Sequence, residues 1–201
     1  GLWYIIIPTE VEVRSESQAP DVATHGVIAL DPGVRTFQTC YDADGMVVEW
    51  GAKDMGRIFR LCRHADQLQS KEASFKGQKF RQKRKRLQRA RLRLHLRIRN
   101  LVDELHKKLS RWLCSNFRVI LLPKFETKQM VSRGKRKLNS KTARQMCTWA
   151  HYRFQQRLLS QSELFPWCRV EIVNEAYTSK TCGGCGEIHA TLGGSKVFKC
   201  K

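Results

Sequence analysis

Apolar residues along this chain follow two different periods, and the changes between them predict the elements. Three short runs, Gly26-Val27-Ile28-Ala29-Leu30, then Val34 to Tyr41, then Met46 to Trp50, have the length and residue types of strands. Asp44-Gly45, between the last two, is a hairpin turn signal. From about Arg57 to Ser115 the period becomes helical, with a break near Ser74 to Gly77. Leu94, Ile98, Leu101, Leu105, Leu109 and Trp112 recur every three or four residues, as one stripe of an amphipathic helix does. Arg118 to Leu122 reads as a buried strand ended by Pro123. A helix follows from about Ser140 to Leu159, with Asn139 or Ser140 as its N-cap, and Arg169 to Val173 is a further strand. At the other end, Gly1 to Pro8 reads as a buried strand, and Thr9 to Thr24 as a polar linker.

A three-strand meander followed by alternating helices and strands is the order of an α/β, RNase H-like fold with a mixed sheet. The expected division is a leading segment over 1–24, a sheet domain over 25–177 with a basic helical insertion at about 57–115, and a small C-terminal module over 178–201.

Charge narrows the function. Lys and Arg number 38 against 18 Asp and Glu, a formal net charge of +20. Such an imbalance strains a compact fold unless a polyanion neutralises it. The excess is concentrated: twelve of the twenty-four residues from Lys76 to Arg99 are Lys or Arg, and none is acidic. Lys76, Lys79, Arg81, Lys83, Arg84, Lys85, Arg86, Arg89, Arg91 and Arg93 are therefore the candidate nucleic-acid contacts. Lys83-Arg84-Lys85-Arg86 also fits a nuclear-import signal. No apolar run approaches the roughly 18 residues of a membrane span. The apolar fraction of 41% is too high for a disordered basic tail.

Two local patterns carry chemistry. In Ile28-Ala29-Leu30-Asp31-Pro32-Gly33 an apolar strand delivers a carboxylate at its C-terminal end, just before a sharp turn. A metal ligand on a rigid element has that form, and so does an ordinary Asp-Pro-Gly turn; Asp42 and Asp44 read as turn formers. The second pattern is Cys182-Gly183-Gly184-Cys185 followed by Cys200. This is three-quarters of a zinc ribbon, with the fourth ligand expected at position 203, two residues intervening after Cys200. A redox CxxC is the alternative, which the flanking glycines and the distant Cys200 disfavour. Cys40, Cys62, Cys114, Cys147 and Cys168 are scattered singly, as thiols in a reducing, intracellular setting are.

Four strings together resemble the Fanzor family, eukaryotic and viral relatives of the transposon-encoded TnpB nucleases and type V CRISPR effectors. They are Leu30-Asp31-Pro32-Gly33; Leu121-Leu122-Pro123-Lys124-Phe125-Glu126-Thr127; Arg144-Gln145-Met146 with Trp149-Ala150-His151-Tyr152-Arg153-Phe154; and Asn174-Glu175-Ala176-Tyr177-Thr178-Ser179-Lys180-Thr181-Cys182. The resemblance implies an RNA-guided DNA endonuclease with a split RuvC site, in which three carboxylates hold two Mg²⁺ ions. Asp31 matches the first acid. TnpB-type proteins carry the second at the end of the fourth strand, where this chain has Pro123. The resemblance moves it to Glu175 just ahead of the ribbon, with Glu126 as rival. The third acid would follow the ribbon. It also implies structural Zn²⁺ on Cys182, Cys185 and Cys200, a guide RNA and target DNA as partners, a monomeric protein within a ribonucleoprotein, and nuclear work. The chain alone is then expected to bind nucleic acid without cutting it and to hold zinc poorly. A catalytically dead RNA-guided binder and a guide-independent transposase or resolvase are the alternatives. His151 is expected to serve packing.

Overall fold

A computed structural model describes residues 3, 5–19, 26–132, 134, 138–174, 176, 178–182 and 184–189. Five strands form one mixed sheet: β1 Val27–Pro32, β2 Gln38–Asp42, β3 Val47–Trp50, β4 Val119–Pro123 and β5 Arg169–Val173. Their spatial order is β3-β2-β1-β4-β5. The first three pair antiparallel, and β4 and β5 run parallel to β1. Parallel pairing needs long crossovers. The first is supplied by helices α1 Asp54–Ser74 and α2 Arg81–Asn116, the second by α3 Thr127–Val131, α4 Ser140–Trp149 and α5 His151–Ser162.

Alternation along the strands sends Ile28 and Leu30, Cys40, and Ile120 and Leu122 to one face, all buried. There they join Val102, Leu109 and Leu113 of α2 and Phe154 and Leu158 of α5 in a single core cluster. Met55, Ile58 and Cys62 of α1 extend it. None of the described cysteines is in a disulfide, so this core stands on packing alone.

The sequence reading needs three corrections. The apolar N-terminal run is not a buried strand: Trp3, Ile5 and Ile6 are 95%, 87% and 91% exposed, and the described residues of the segment carry no strand. A strand needs a hydrogen-bonded neighbour, and neither sheet edge, β3 or β5, pairs with it. The segment is tied down further on, where the Arg14 N–H donates to the Leu164 carbonyl (3.1 Å) and the Arg14 guanidinium lies over the Phe165 ring. Second, the helix expected over Ser140 to Leu159 is two helices, divided at Ala150, whose φ of 52° breaks the helical ladder. The cap of α4 is Asn139, whose Oδ1 accepts the Thr142 N–H at 2.8 Å. Third, β2 starts at Gln38 because residues 33–37 form a turn, closed by Gly33 N–H to Phe37 O (3.2 Å).

A tight junction lies where β3 leaves the sheet. Gly51 has φ +74°, and a Cβ there would sit 3.0 Å from Leu105 Cδ2 and from Phe37 Cβ. Gly51→Ala is therefore expected to cost about 2 kcal/mol through strain and overpacking. Gly56, inside α1 with open space around it, behaves oppositely: Gly56→Ala should gain about 0.5–1 kcal/mol from helix propensity. Urea midpoints of the two variants check this, and equal shifts would contradict the packing described.

Candidate functional site

Asp31 is the penultimate residue of the central strand. Its neighbours Leu30 and Pro32 point into the core, so alternation puts Asp31 on the opposite face, and it is exposed. That face also presents Val27, Tyr41 and Val47, 43%, 52% and 60% exposed, so among the described residues no helix covers it there. Asp31 is paired in register with Thr39 of β2, and Thr39 with Glu49 of β3. Glu49 lies two strands away, about 10 Å at ordinary strand spacing, too far to share an ion with Asp31 directly.

On the other side, Ala29 pairs with Leu121. Carried two residues further, this parallel register puts Pro123 beside Asp31, and Pro123 in turn pairs with Val173. The β4 position adjoining Asp31 is thus filled by a residue with no side-chain donor. Alternation gives Glu171 and Val173 a common face on β5; Glu175 lies outside the described residues. Glu126 stands at the N-cap of α3, half-buried, with its carboxylate 2.8 Å from Lys124 Nζ. That lysine holds the Glu126 carboxyl below its ordinary range. Glu126, Gln129 and Asn174 line a groove at the ends of β4 and β5. Among the described residues no three His, Cys, Asp or Glu side chains gather as a metal cage.

Behind the Asp31 turn lies a cluster that hydrophobic periodicity does not reveal. Trp149 is fully buried, and its Nε1–H donates to the Val34 carbonyl at 2.9 Å. His106, on the buried stripe of α2, meets the Trp149 carbonyl through Nε2 at 2.9 Å. The Phe37 ring stacks against both His106 (4.8 Å) and His151 (5.1 Å), and Phe125 lies 4.6 Å from His151. His151 therefore does pack, as expected. Burial pushes both histidines down to about 4, so both are neutral near pH 7. Asp42, read as a turn former, is one: its Oδ1 accepts the N–H groups of Asp44 (3.1 Å) and Met46 (2.8 Å).

The basic helices form a hairpin, α1 packed along the first part of α2. Burial along α2 falls on Arg84, Leu87, Arg91, Leu94 and Ile98, every three or four residues. Two predicted contact residues thus face α1. Arg84 Nη1 donates to the carbonyls of Phe75 (3.0 Å) and Gly77 (2.8 Å), bracing the turn between the helices. Arg91 pairs with Glu72 at 3.3 Å. Lys83 and Lys79 lie over the rings of Phe75 and Phe80. Arg81, Lys85, Arg86, Arg89 and Arg93 are exposed, and Lys76 is exposed on the connection. These exposed cations have no acidic neighbour within the 76–99 stretch to offset them.

Of the cysteine cluster, Cys182 and Cys185 are described and Cys200 is not. Cys182 N–H donates to Glu187 O (2.8 Å), Gly186 N–H to Cys182 O (2.9 Å), and Thr181 bridges Ile188. A tight hairpin therefore carries both thiols, and Gly186 takes φ +75° in it. Two thiols on such a knuckle suit a soft, tetrahedral ion such as zinc.

Sheet order and the long crossover helices together define an RNase H-like fold. Comparison with known proteins fixes the family. OrfB_IS605, described as "Probable transposase", matches residues 7–133, and a second family, "Cas12f1-like, TNB domain", matches residues 151–201. The chain belongs to the OrfB_IS605 family, the TnpB-type transposases related to RNA-guided nucleases. It is 31% identical, over all of its length, to a protein of Paramecium bursaria Chlorella virus 1 named "Putative transposase", and 30% identical over 86% of its length to a TnpB-like protein of Acanthamoeba polyphaga mimivirus. It spans 43% and 33% of those two proteins.

The two buried histidines make a pH dependence. Their folded pKa values lie below the ordinary 6.5, so the unfolded chain binds more protons and stability rises with pH. The contribution is complete above pH 6.5 and is lost as pH falls toward 4. At pH 5 each histidine should have cost about 2 kcal/mol relative to neutral pH. Urea unfolding at pH 7.5, 6 and 5 measures it, and a flat profile would contradict neutral burial.

Proposed function

We propose that this chain is the nuclease part of an RNA-guided DNA endonuclease that hydrolyses phosphodiester bonds with Mg²⁺. The observation that carries the reading is Asp31: an exposed carboxylate at the C-terminal end of the central strand, on the uncovered sheet face, with no cationic partner among the described residues. Its hard oxygen donors suit Mg²⁺. Glu175 and a third acid not among the described residues complete the set in this reading, since Pro123 supplies nothing beside Asp31. Bound Mg²⁺ would supply an activated water and neutralise charge on the leaving oxygen. The protein's own part is to fix the carboxylates on sheet ends, grip phosphates through the outward arginines and lysines of α2, and hold the ribbon on Cys182, Cys185 and Cys200 with Zn²⁺. Base pairing with the guide would read sequence, while the protein reads backbone. A guide-independent transposase is the second reading, favoured by the family's own description as a probable transposase.

In the full-length protein, Asp31→Ala and Glu175→Ala should each drop Mg²⁺-dependent cleavage to background with DNA affinity near wild type, and Glu126→Ala should keep most activity. Active Asp31→Ala enzyme would end the nuclease assignment. Cleavage that survives removal of co-purifying RNA would select the guide-independent reading.

The arm predicts a split within one basic string. Arg86→Ala should weaken binding and lower the slope of log K against log salt by about 1, because one phosphate contact is lost. Arg84→Ala should leave that slope unchanged and lower thermal stability, because its partners are carbonyls of the hairpin turn. Equal effects on the slope would contradict the division of roles.

A further inference from the structure

The void behind the Asp31 turn holds more unsatisfied polarity than a packed core tolerates. His151 is 4% exposed and Gln38 1%. Neither ring nitrogen of His151 has a hydrogen-bond partner, nor does Gln38 Oε1. The Gly33 backbone lies near enough to favour the protonated ring slightly, but makes no hydrogen bond of acceptable geometry with it. All three orphan atoms belong to residues that line one small void, together with Pro32 and Pro123. Each buried polar atom left unpaired costs about 1–3 kcal/mol. The void measures about 10 Å³, the smallest that admits a single water. A neutral imidazole offers one donor and one acceptor, and Gln38 Oε1 offers a further acceptor. A water between them would pair Gln38 Oε1 with one His151 ring nitrogen, two of the three orphan atoms; an apolar occupant would meet none of them.

The backbone brings His151 there at a cost. Ala150 is the one non-glycine described residue with positive φ, a conformation that costs about 1 kcal/mol or more and persists where the surroundings enforce it. That residue turns the chain from α4 into α5 and places His151 at the first position of α5, inside the core. Gln38 is the cross-strand partner of Pro32, the residue that follows Asp31.

We propose that His151 and Gln38 hold one buried water behind Pro32, and that this bridge positions the Asp31–Gly33 turn for metal binding. His151 is thereby a positioning residue acting through the turn. The inference rests on the reading of Asp31 as a metal ligand. Outer partners of metal ligands change metal affinity by about 10- to 100-fold when removed. Gln38→Leu and His151→Phe, which keep much of the volume and remove the polar atoms, should therefore each raise the Mg²⁺ concentration for half-maximal cleavage about 10-fold or more. DNA affinity and cleavage at saturating Mg²⁺ should stay near wild type.

The experiment uses the full-length protein, with Asp31→Ala as control. A second readout needs no activity: ¹⁵N NMR of the His151 ring in the wild type should show a single neutral tautomer with a water cross-peak, absent in Gln38→Leu. If His151→Phe fails to fold, Gln38→Leu and the NMR signal still decide. Half-saturation within about twofold of wild type in Gln38→Leu, or a His151 ring with no water contact, overturns the bridge. Undiminished cleavage by Asp31→Ala overturns instead the nuclease reading on which it rests, and the NMR result then stands alone as a test of the water.

Discussion

The architecture depends on β1 being held from both sides. Its antiparallel bonds to β2 and its parallel bonds to β4 make it the central strand, and that fixes the alternation of its side chains. Ile28 and Leu30 can enter the core only if Asp31 leaves it. A one-residue slip would bury the carboxylate and expose two large apolar residues, at a cost of several kcal/mol. The register that makes the core is therefore the register that presents the acid, and the fold cannot keep one without the other.

The same register explains what the neighbouring strand does. Pro123 lies beside Asp31 and pairs with Val173, where its missing N–H is tolerated because it closes the strand. An acid at that place would lie about one strand spacing, 4.8 Å, from Asp31. Pro123 instead stiffens that position and offers no donor beside Asp31; in the proposed reading the second carboxylate comes from another element.

Much of this was legible in the sequence, for physical reasons. Five strands and the long helices follow from periods of two and three to four, and Asn139 announced its helix by its capping chemistry. The outward aim of Asp31 follows from alternation alone. The N-terminal run was misread because apolarity predicts burial without saying against what, and neither sheet edge, β3 or β5, pairs with it. The break at Ala150 escaped because alanine is the best helix former, so a left-handed alanine is imposed by tertiary packing around Trp149 and His151. The hairpin contacts of Arg84 escaped because composition cannot tell an arginine that meets a carbonyl from one that meets solvent; its place on the Leu87, Leu94, Ile98 stripe was the available signal. His106 left a comparable signal, a polar residue between Val102 and Leu109 on a buried stripe. Gln38 left less, since an inward glutamine on a short strand looks like any edge residue.

Stability and charge pull apart in the helical arm. Leucines and two tethered arginines zip α2 to α1, while the exposed cations repel one another. The sheet needs no such partner, being closed by Phe37, Trp149 and Phe154. The most direct test of the central claim is anomalous diffraction from crystals of the full-length protein with nucleic acid, soaked in Mn²⁺ as a stand-in for Mg²⁺. A peak about 2.2 Å from an Asp31 carboxylate oxygen, with Glu175 as co-ligand, is the predicted result. A metal held by Glu126 with Asp31 uninvolved would contradict the account.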